Sequence, residues 1–126
     1  MKDPTCEERI DEELGYTLEC LERLWISYKR DSERYVGNLG RFDEYHLWFG
    51  YEEGGTSQNK EAGYWQYQLS TGGPGDEFRF FTDGEGGTLY KIEYWYLEWW
   101  DGASREIVGR DREYDLLKEI FDYLRG

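Results

Sequence analysis

The clearest pattern in the chain is an apolar stripe over residues 10–28. Its members recur at steps of three and four residues, the spacing of one face of an α-helix: Ile10, Leu14, Leu18, Leu21, Trp25 and Tyr28. Thr5 stands three residues before Glu8, the spacing of a capping box, and Pro4 comes just before it. The pattern therefore predicts a helix that begins near residue 5 or 6 and runs to about Arg30.

The middle of the chain alternates with a period of two, which is typical of strands. After a glycine-containing connection at 31–41 with room for a short turn of helix, strands are predicted at 45–51, 64–69, 77–82 and 88–100, with a last short strand at 105–108. The segment 88–100 is aromatic on both faces, with Tyr90, Ile92, Tyr94 and Tyr96 on one and Leu89, Trp95, Leu97 and Trp99 on the other. One face should pack on the long helix. The other is either covered by further helix or left as a binding patch.

The C-terminal segment has a second helical pattern. Asp111 is expected to cap a helix whose apolar stripe consists of Tyr114, Leu117, Ile120 or Phe121, and Leu124. The expected fold class is α+β: a long N-terminal helix, an antiparallel sheet of four or five strands, and a C-terminal helix packed on the sheet. The length of 126 residues suits a single domain over residues 1–126.

Charge narrows the classes of partner. The chain has 28 acidic and 15 basic residues, a net charge of −13, yet its 6 Trp, 12 Tyr and 6 Phe supply enough apolar area for a folded core. Such a surface repels phosphate backbones and anionic lipids, so no direct nucleic-acid or membrane partner is expected. The N-terminus lacks the order of a signal peptide and no apolar run approaches about 20 residues, so we expect a cytoplasmic protein.

Side chains for catalysis are scarce. The only histidine, His46, lies in a strand-like segment without a partner motif and is interpreted as structural or superficial. Cys6, near the exposed end of the first helix, is interpreted as a bystander, and Cys20 as a small core or flank residue. They are about 21 Å apart along that helix and cannot form a disulfide. Close carboxylate pairs are expected by chance among so many acids, so we predict no enzyme, cofactor or metal.

The acidic charge itself has two interpretations. The N-terminal 22 residues hold eight acids and two bases, while residues 23–42 hold two acids and five bases. Acids early in a helix and bases late in it stabilise the helix dipole, and a high charge keeps an aromatic protein soluble, above all in a halophile. The alternative is imitation of a polyanion. Carboxylates at helical spacing stand about 5–6 Å apart, similar to neighbouring phosphates, and the row would be Glu8, Asp11, Glu12, Glu19 and Glu22.

Two segments resemble a known group of proteins. Residues 63–83, GYWQYQLSTGGPGDEFRFFTD, and 90–103, YKIEYWYLEWWDGA, contain an S-x-GGP-x-DEFRF strand followed by a YLxW-x-DGA strand. The arrangement resembles small acidic proteins of phages and mobile elements, about a third of the chain being covered. The resemblance implies a phage context, in which short acidic proteins without catalytic motifs include anti-CRISPR and anti-restriction inhibitors that act as DNA mimics.

The sequence therefore predicts a non-catalytic inhibitor that binds a basic, nucleic-acid-binding surface of a host defence protein. The candidate contacts are acids and aromatic anchors: Glu7, Glu8, Asp11, Glu12, Glu19, Glu22, Glu52, Glu53, Asp76, Glu77, Asp83, Trp95, Trp99 and Trp100, with Tyr94 among the aromatic residues considered. The alternative is a phage or plasmid accessory protein that binds a protein partner, or itself as a homodimer, through an aromatic sheet face.

Overall fold

The N-terminal helix α1 spans Cys6–Arg30, as the apolar stripe and the capping box predict. The Thr5 hydroxyl accepts the backbone N–H of Glu8, and the Glu8 carboxylate accepts that of Thr5, so donors left free at the helix start are satisfied. The computed structural model describes residues 4–55, 62–71 and 74–126. After α1 the chain makes a 3-10 turn at Gly37–Leu39 and a one-turn helix, α2, at Phe42–Tyr45.

Five antiparallel strands follow, and each pairs with the next one along the chain. They are β1 Trp48–Glu52, β2 Tyr64–Ser70, β3 Gly75–Thr82, β4 Leu89–Glu98 and β5 Asp101–Ile107, and helix α3, Arg112–Arg125, closes the chain. The predicted α+β class, with a helix at each end of an antiparallel sheet, is confirmed. The polar loop predicted between β1 and β2 and the glycine-rich turn before β3 fall partly outside the described residues.

Both long helices pack on one face of the sheet, the helix-covered face. Phe78 and Phe80 of β3 and Tyr94 of β4 are fully buried there, in one cluster with apolar residues of α1 and α3. The Phe121 ring of α3 stacks on Phe80 with 4.7 Å between ring centroids. Because side chains alternate along a strand, Glu77 and Arg79 point to the opposite, open face.

Strand β3 begins at Gly75, two residues before the predicted 77, and three further boundaries differ from the sequence prediction. The first strand begins at Trp48 and not at residue 45, because Phe42–Tyr45 forms the short helix α2, which buries Phe42 under α1. Strand β4 ends at Glu98, and the turn after it consists of Trp99 and Trp100, whereas the predicted turn at 101–103 belongs to β5. That last strand is correspondingly longer than the predicted 105–108, because Glu98 pairs with Asp101 across a two-residue turn.

Two side-chain predictions also need correction. Cys6 is expected near an exposed helix end, but it is completely buried. The reason is that β5 approaches the start of α1, where Asp101 accepts the Cys6 backbone N–H at 2.7 Å. Asp111 occupies the N-cap of α3 as predicted, but its side chain makes no capping hydrogen bond. Cys20 is buried in α1, in agreement with its interpretation as a core residue. No helix of the described ranges has the length and apolarity needed to cross a membrane.

The stack of Phe121 on Phe80 should account for much of the docking energy of α3. We expect Phe121→Ala to lower the free energy of unfolding by about 3–5 kcal/mol, because it leaves a cavity in a fully buried site. Urea denaturation followed by circular dichroism measures this. The exposed Val108→Ala should stay within about 0.5 kcal/mol of wild type. Equal stability of the two variants would contradict the packing described.

Candidate partner-binding surfaces

The acids at the start of α1 are mostly engaged with the protein's own groups. Arg105 of β5 forms ion pairs with Glu7 at 2.8 Å and with Asp11 at 2.9 Å. The Glu8 carboxylate belongs to the capping box, and Glu22 pairs with Arg112 of α3. Arg105 and Arg112 together bring two positive charges to this helix surface and offset part of the negative charge that the predicted row would present. The row is therefore a weaker imitation of a phosphate backbone than its sequence indicates.

Glu12 and Glu19 are not compensated by such ion pairs. Both are exposed on the outer surface of α1, and no basic side chain in the described part of the chain lies within ion-pair distance of either. Seven residues separate them, about two helical turns or 10.5 Å. They are the members of the predicted row whose charge is fully available to a partner.

The turn between β4 and β5 presents two tryptophans to solvent. Trp99 is 88% exposed and Trp100 is 98% exposed. Trp99 has a φ of 34°, the one positive φ among the described residues other than glycine. Two-residue hairpin turns with positive φ strongly favour glycine or asparagine, and a β-carbon there costs free energy. Neither its ring nor its backbone gives Trp99 a stabilising role in the fold.

Hydrogen bonds and an ion pair fix this turn beside the start of α1. The Asp101 carboxylate accepts the backbone N–H of Cys6 at 2.7 Å, and Arg9 lies 3.7 Å from Glu98. The bond from Cys6 holds the pKa of Asp101 below its usual value, so Asp101 is ionised at neutral pH. We call this region the hairpin end: residues 98–101 and the first two turns of α1. It joins both tryptophans to Glu7, Glu8, Asp11 and Glu12.

Glu98, Asp101 and the two arginines that pair with helix acids are not among the contacts predicted from the sequence. A signal for the first two exists, since they flank the tryptophan pair directly in the sequence. Nothing comparable identifies Arg105 and Arg112, because their pairing with α1 arises from the way β5 and α3 dock.

Asp76 is partly buried on the helix-covered face of the sheet, where its carboxylate is engaged by neighbouring hydroxyl groups. Its carboxylate accepts hydrogen bonds from the Tyr94 hydroxyl at 2.7 Å, from the Thr17 hydroxyl at 3.4 Å and from the Ser70 hydroxyl. Burial, together with the bond to Asp76, raises the pKa of Tyr94. Asp76 therefore connects α1 with β2, β3 and β4, and its three hydroxyl partners explain why a carboxylate stands on this face of β3.

Glu77 belongs to a polar and aromatic network on the open face. It accepts hydrogen bonds from Gln66 at 3.0 Å and from Arg79 at 2.7 Å, and it is 5% exposed. The Arg79 guanidinium lies 4.1 Å from the centroid of the Trp95 ring, and the Trp95 indole N–H donates to Glu93 at 3.0 Å. Trp95 is thus largely satisfied by its own neighbours, unlike Trp99 and Trp100.

The remaining acidic candidates lie at the far end of the sheet. Glu52 pairs with Tyr64 at the end of β1, and Asp83 is exposed in the turn after β3. Glu53 follows Glu52 and is exposed. Because the strands alternate in direction, this end is opposite the hairpin end, and the structure does not gather all predicted contacts into one surface.

His46 follows α2 and is half-buried against Tyr67, with 5.3 Å between the ring centroids. Burial lowers its pKa, so the imidazole is neutral at physiological pH. Its Nδ1 and the Tyr67 hydroxyl are buried with no hydrogen-bond partner among the described residues. Within those residues, no three His, Cys, Asp or Glu side chains gather as metal ligands.

Comparisons of the chain with models of protein families, with curated proteins and with solved structures find no match. The resemblance of residues 63–83 and 90–103 to small acidic phage proteins stays a prediction. The geometry of the hairpin end and of the open face is therefore the basis for a functional proposal.

Removal of the Asp76 carboxylate tests its structural role. We expect Asp76→Ala to lower the free energy of unfolding by about 1–3 kcal/mol, because the buried Tyr94 hydroxyl loses its acceptor. Thermal and urea denaturation measure this. The matched Asp83→Ala removes an exposed carboxylate and should change stability by less than about 0.5 kcal/mol. An unchanged Asp76→Ala protein would show that the carboxylate is free for another purpose.

Trp99 should be dispensable for folding. We expect Trp99→Gly to leave the free energy of unfolding unchanged or to raise it by up to about 1 kcal/mol, because glycine adopts a positive φ without strain. Trp95→Gly is the control and should lower stability by at least about 2 kcal/mol, since Trp95 packs within the sheet network. A large loss of stability in Trp99→Gly would assign this residue to the fold.

Proposed function

We propose that the protein is a non-catalytic inhibitor that binds a basic, nucleic-acid-binding surface of a host defence protein through the hairpin end. The observation that supports this most is the pair of solvent-exposed tryptophans on a strained turn beside the acidic start of α1. The proposed setting is the cytoplasm of a bacterial host, where a phage or mobile element encodes the protein.

The tryptophans are suited to be anchors of an interface. Tryptophan is among the residue types most enriched at energetic hot spots, and a hairpin turn presents it on a rigid support. Exposure of two such rings disfavours solubility, and the positive φ of Trp99 costs stability. Contact with a partner would account for the exposed rings and the strained turn, whereas folding does not.

The acids around the anchors supply the complementary charge. The hairpin end holds six carboxylates, those of Glu7, Glu8, Asp11, Glu12, Glu98 and Asp101, against the guanidinium groups of Arg9 and Arg105. A groove that binds a phosphate backbone presents lysine and arginine and would attract this region. Duplex DNA should compete for the same groove, and salt should weaken the complex by screening.

A second candidate function uses the open face of the sheet, as an accessory protein that binds a protein partner or a second copy of itself. The observation that favours it is Trp48 of edge strand β1, which is 53% exposed. Its ring lies over Gly50, where a β-carbon would force the ring to move. An interface of this kind would rest on apolar area, so its affinity should change little with salt.

The two candidates differ in which variants lose the partner. The full chain is tagged and used to capture proteins from a host lysate at low salt, and the captured protein is then purified for binding measurements. We expect Trp99→Ala with Trp100→Ala to weaken binding at least about tenfold, since each anchor contributes about 1–2 kcal/mol or more. Glu12→Lys with Glu19→Lys should weaken it comparably at low salt, because Glu12 lies in the hairpin end and Glu19, about 10.5 Å from it along α1, is close enough to act through its charge.

The matched control is Asp83→Lys with Glu85→Lys, which makes the same charge change at the far end of the sheet and should leave affinity within about threefold of wild type. A 30-base-pair duplex should displace the partner. If the complex resists both DNA and about 0.5 M salt and is lost only in Trp48→Ala, the hairpin-end proposal is wrong and the open-face candidate replaces it.

A further inference from the structure

A basic cleft lies on the C-terminal half of α1, away from the hairpin end. It has a volume of about 400 Å³ and is formed by one face of α1 together with the chain that follows the helix. Its lining includes Arg23, Ser27 and Arg30 from α1, and Arg34, Tyr35 and Gly37 from the connection. Its volume falls within the range of small-molecule sites, roughly 300–1,000 Å³.

The three arginines of the cleft are unpaired in a strongly acidic protein. Among the described residues, no carboxylate lies within ion-pair distance of Arg23, Arg30 or Arg34, although acids outnumber bases nearly two to one. Outside the cleft, most basic side chains of the described residues form ion pairs: Arg9, Lys29, Arg41, Arg79, Lys91, Arg105, Arg112 and Lys118. Unpaired cations are thus concentrated at this cleft.

The acids nearest in sequence do not neutralise it. The Asp31 carboxylate accepts the backbone N–H of Glu33 at 3.0 Å, and Glu33 itself is exposed. The helix dipole favours a cation in the last turn, which is a sufficient reason for Arg30 to lie there. It does not explain Arg23, two turns earlier, or Arg34, which lies beyond the helix.

Ser27 and Tyr35 add features of a ligand site. Ser27 lines the cleft, and its hydroxyl oxygen is buried with no hydrogen-bond partner among the described residues. A ligand oxygen that reaches this hydroxyl would satisfy it. The Tyr35 ring is 62% exposed at the cleft, and the Arg41 guanidinium lies 5.4 Å from its centroid. Such a ring offers a surface on which a planar group can stack.

From these observations we infer that the cleft binds the phosphate group of a small phosphorylated ligand of mononucleotide size. Guanidinium groups bind phosphate by charge-assisted hydrogen bonds and can do so bidentately. Ser27 supplies a neutral donor, and Tyr35 contacts the ring of the ligand. This site lies outside the hairpin end, so the inference stands whether or not the proposed inhibition is found.

Calorimetric titration of the full chain at low salt tests this site with three probes: adenosine monophosphate, inorganic phosphate and adenosine. We expect adenosine monophosphate to bind with a Kd below about 1 mM and adenosine not to bind in that range. Arg34→Gln and Arg30→Gln should each weaken binding about tenfold, because each removes a charge-assisted hydrogen bond. Tyr35→Ala should weaken the binding of adenosine monophosphate and leave the affinity for inorganic phosphate unchanged.

Arg110→Gln is the matched control, since Arg110 is exposed, forms no ion pair with the described residues and lies outside the cleft. It should bind adenosine monophosphate like wild type. Inorganic phosphate that binds as tightly as the nucleotide would identify the free anion as the ligand of the same site. The inference would be overturned if neither phosphate probe shows saturable binding, or if adenosine binds as tightly as adenosine monophosphate. It would also be overturned if Arg110→Gln weakens binding as much as Arg34→Gln does.

Discussion

Burial of one aromatic face of the sheet under α1 and α3 is the interaction on which the rest of the structure depends. Phe78, Phe80 and Tyr94 can leave water only if both helices cover the same face, and the Phe121 stack and the Asp76 hydrogen bonds hold the helices there. This arrangement brings β5 to the start of α1. The contact between Asp101 and Cys6 follows from it and fixes the tryptophan turn beside the acidic helix end.

The same docking also redistributes the charge. Arg105 and Arg112 reach α1 from β5 and α3 and pair with three of its acids, while Glu12 and Glu19 stay unpaired. The protein therefore has an acidic end with two exposed tryptophans, a basic cleft at the other half of α1, and an open sheet face whose charges are largely paired with one another. A net charge of −13 does not describe any one of these surfaces.

The fold was predictable wherever local signals agree with packing. The Thr5–Glu8 box and the apolar stripe set the limits of α1, and alternation located the central strands. Prediction failed where a tertiary contact overrides the local pattern: Phe42 is drawn under α1 and shortens the first strand, and β5 buries Cys6. For the candidate site, the sequence predicts exposed aromatic residues, and Trp99 and Trp100 are exposed. The hydrogen bonds of Asp76 could not be foreseen, because the partners come from α1, β2 and β4, which are distant in the sequence.

The central claim is that the hairpin end is the surface that contacts the partner. Hydrogen–deuterium exchange of the full chain, alone and in complex with the captured partner, tests this claim most directly. The account predicts slower exchange at residues 7–12 and 98–102 in the complex, with little change at residues 64–68 and 77–81. Protection of the strand residues 64–68 and 77–81, with residues 7–12 and 98–102 unaffected, would contradict it and would assign the interface to the open face of the sheet.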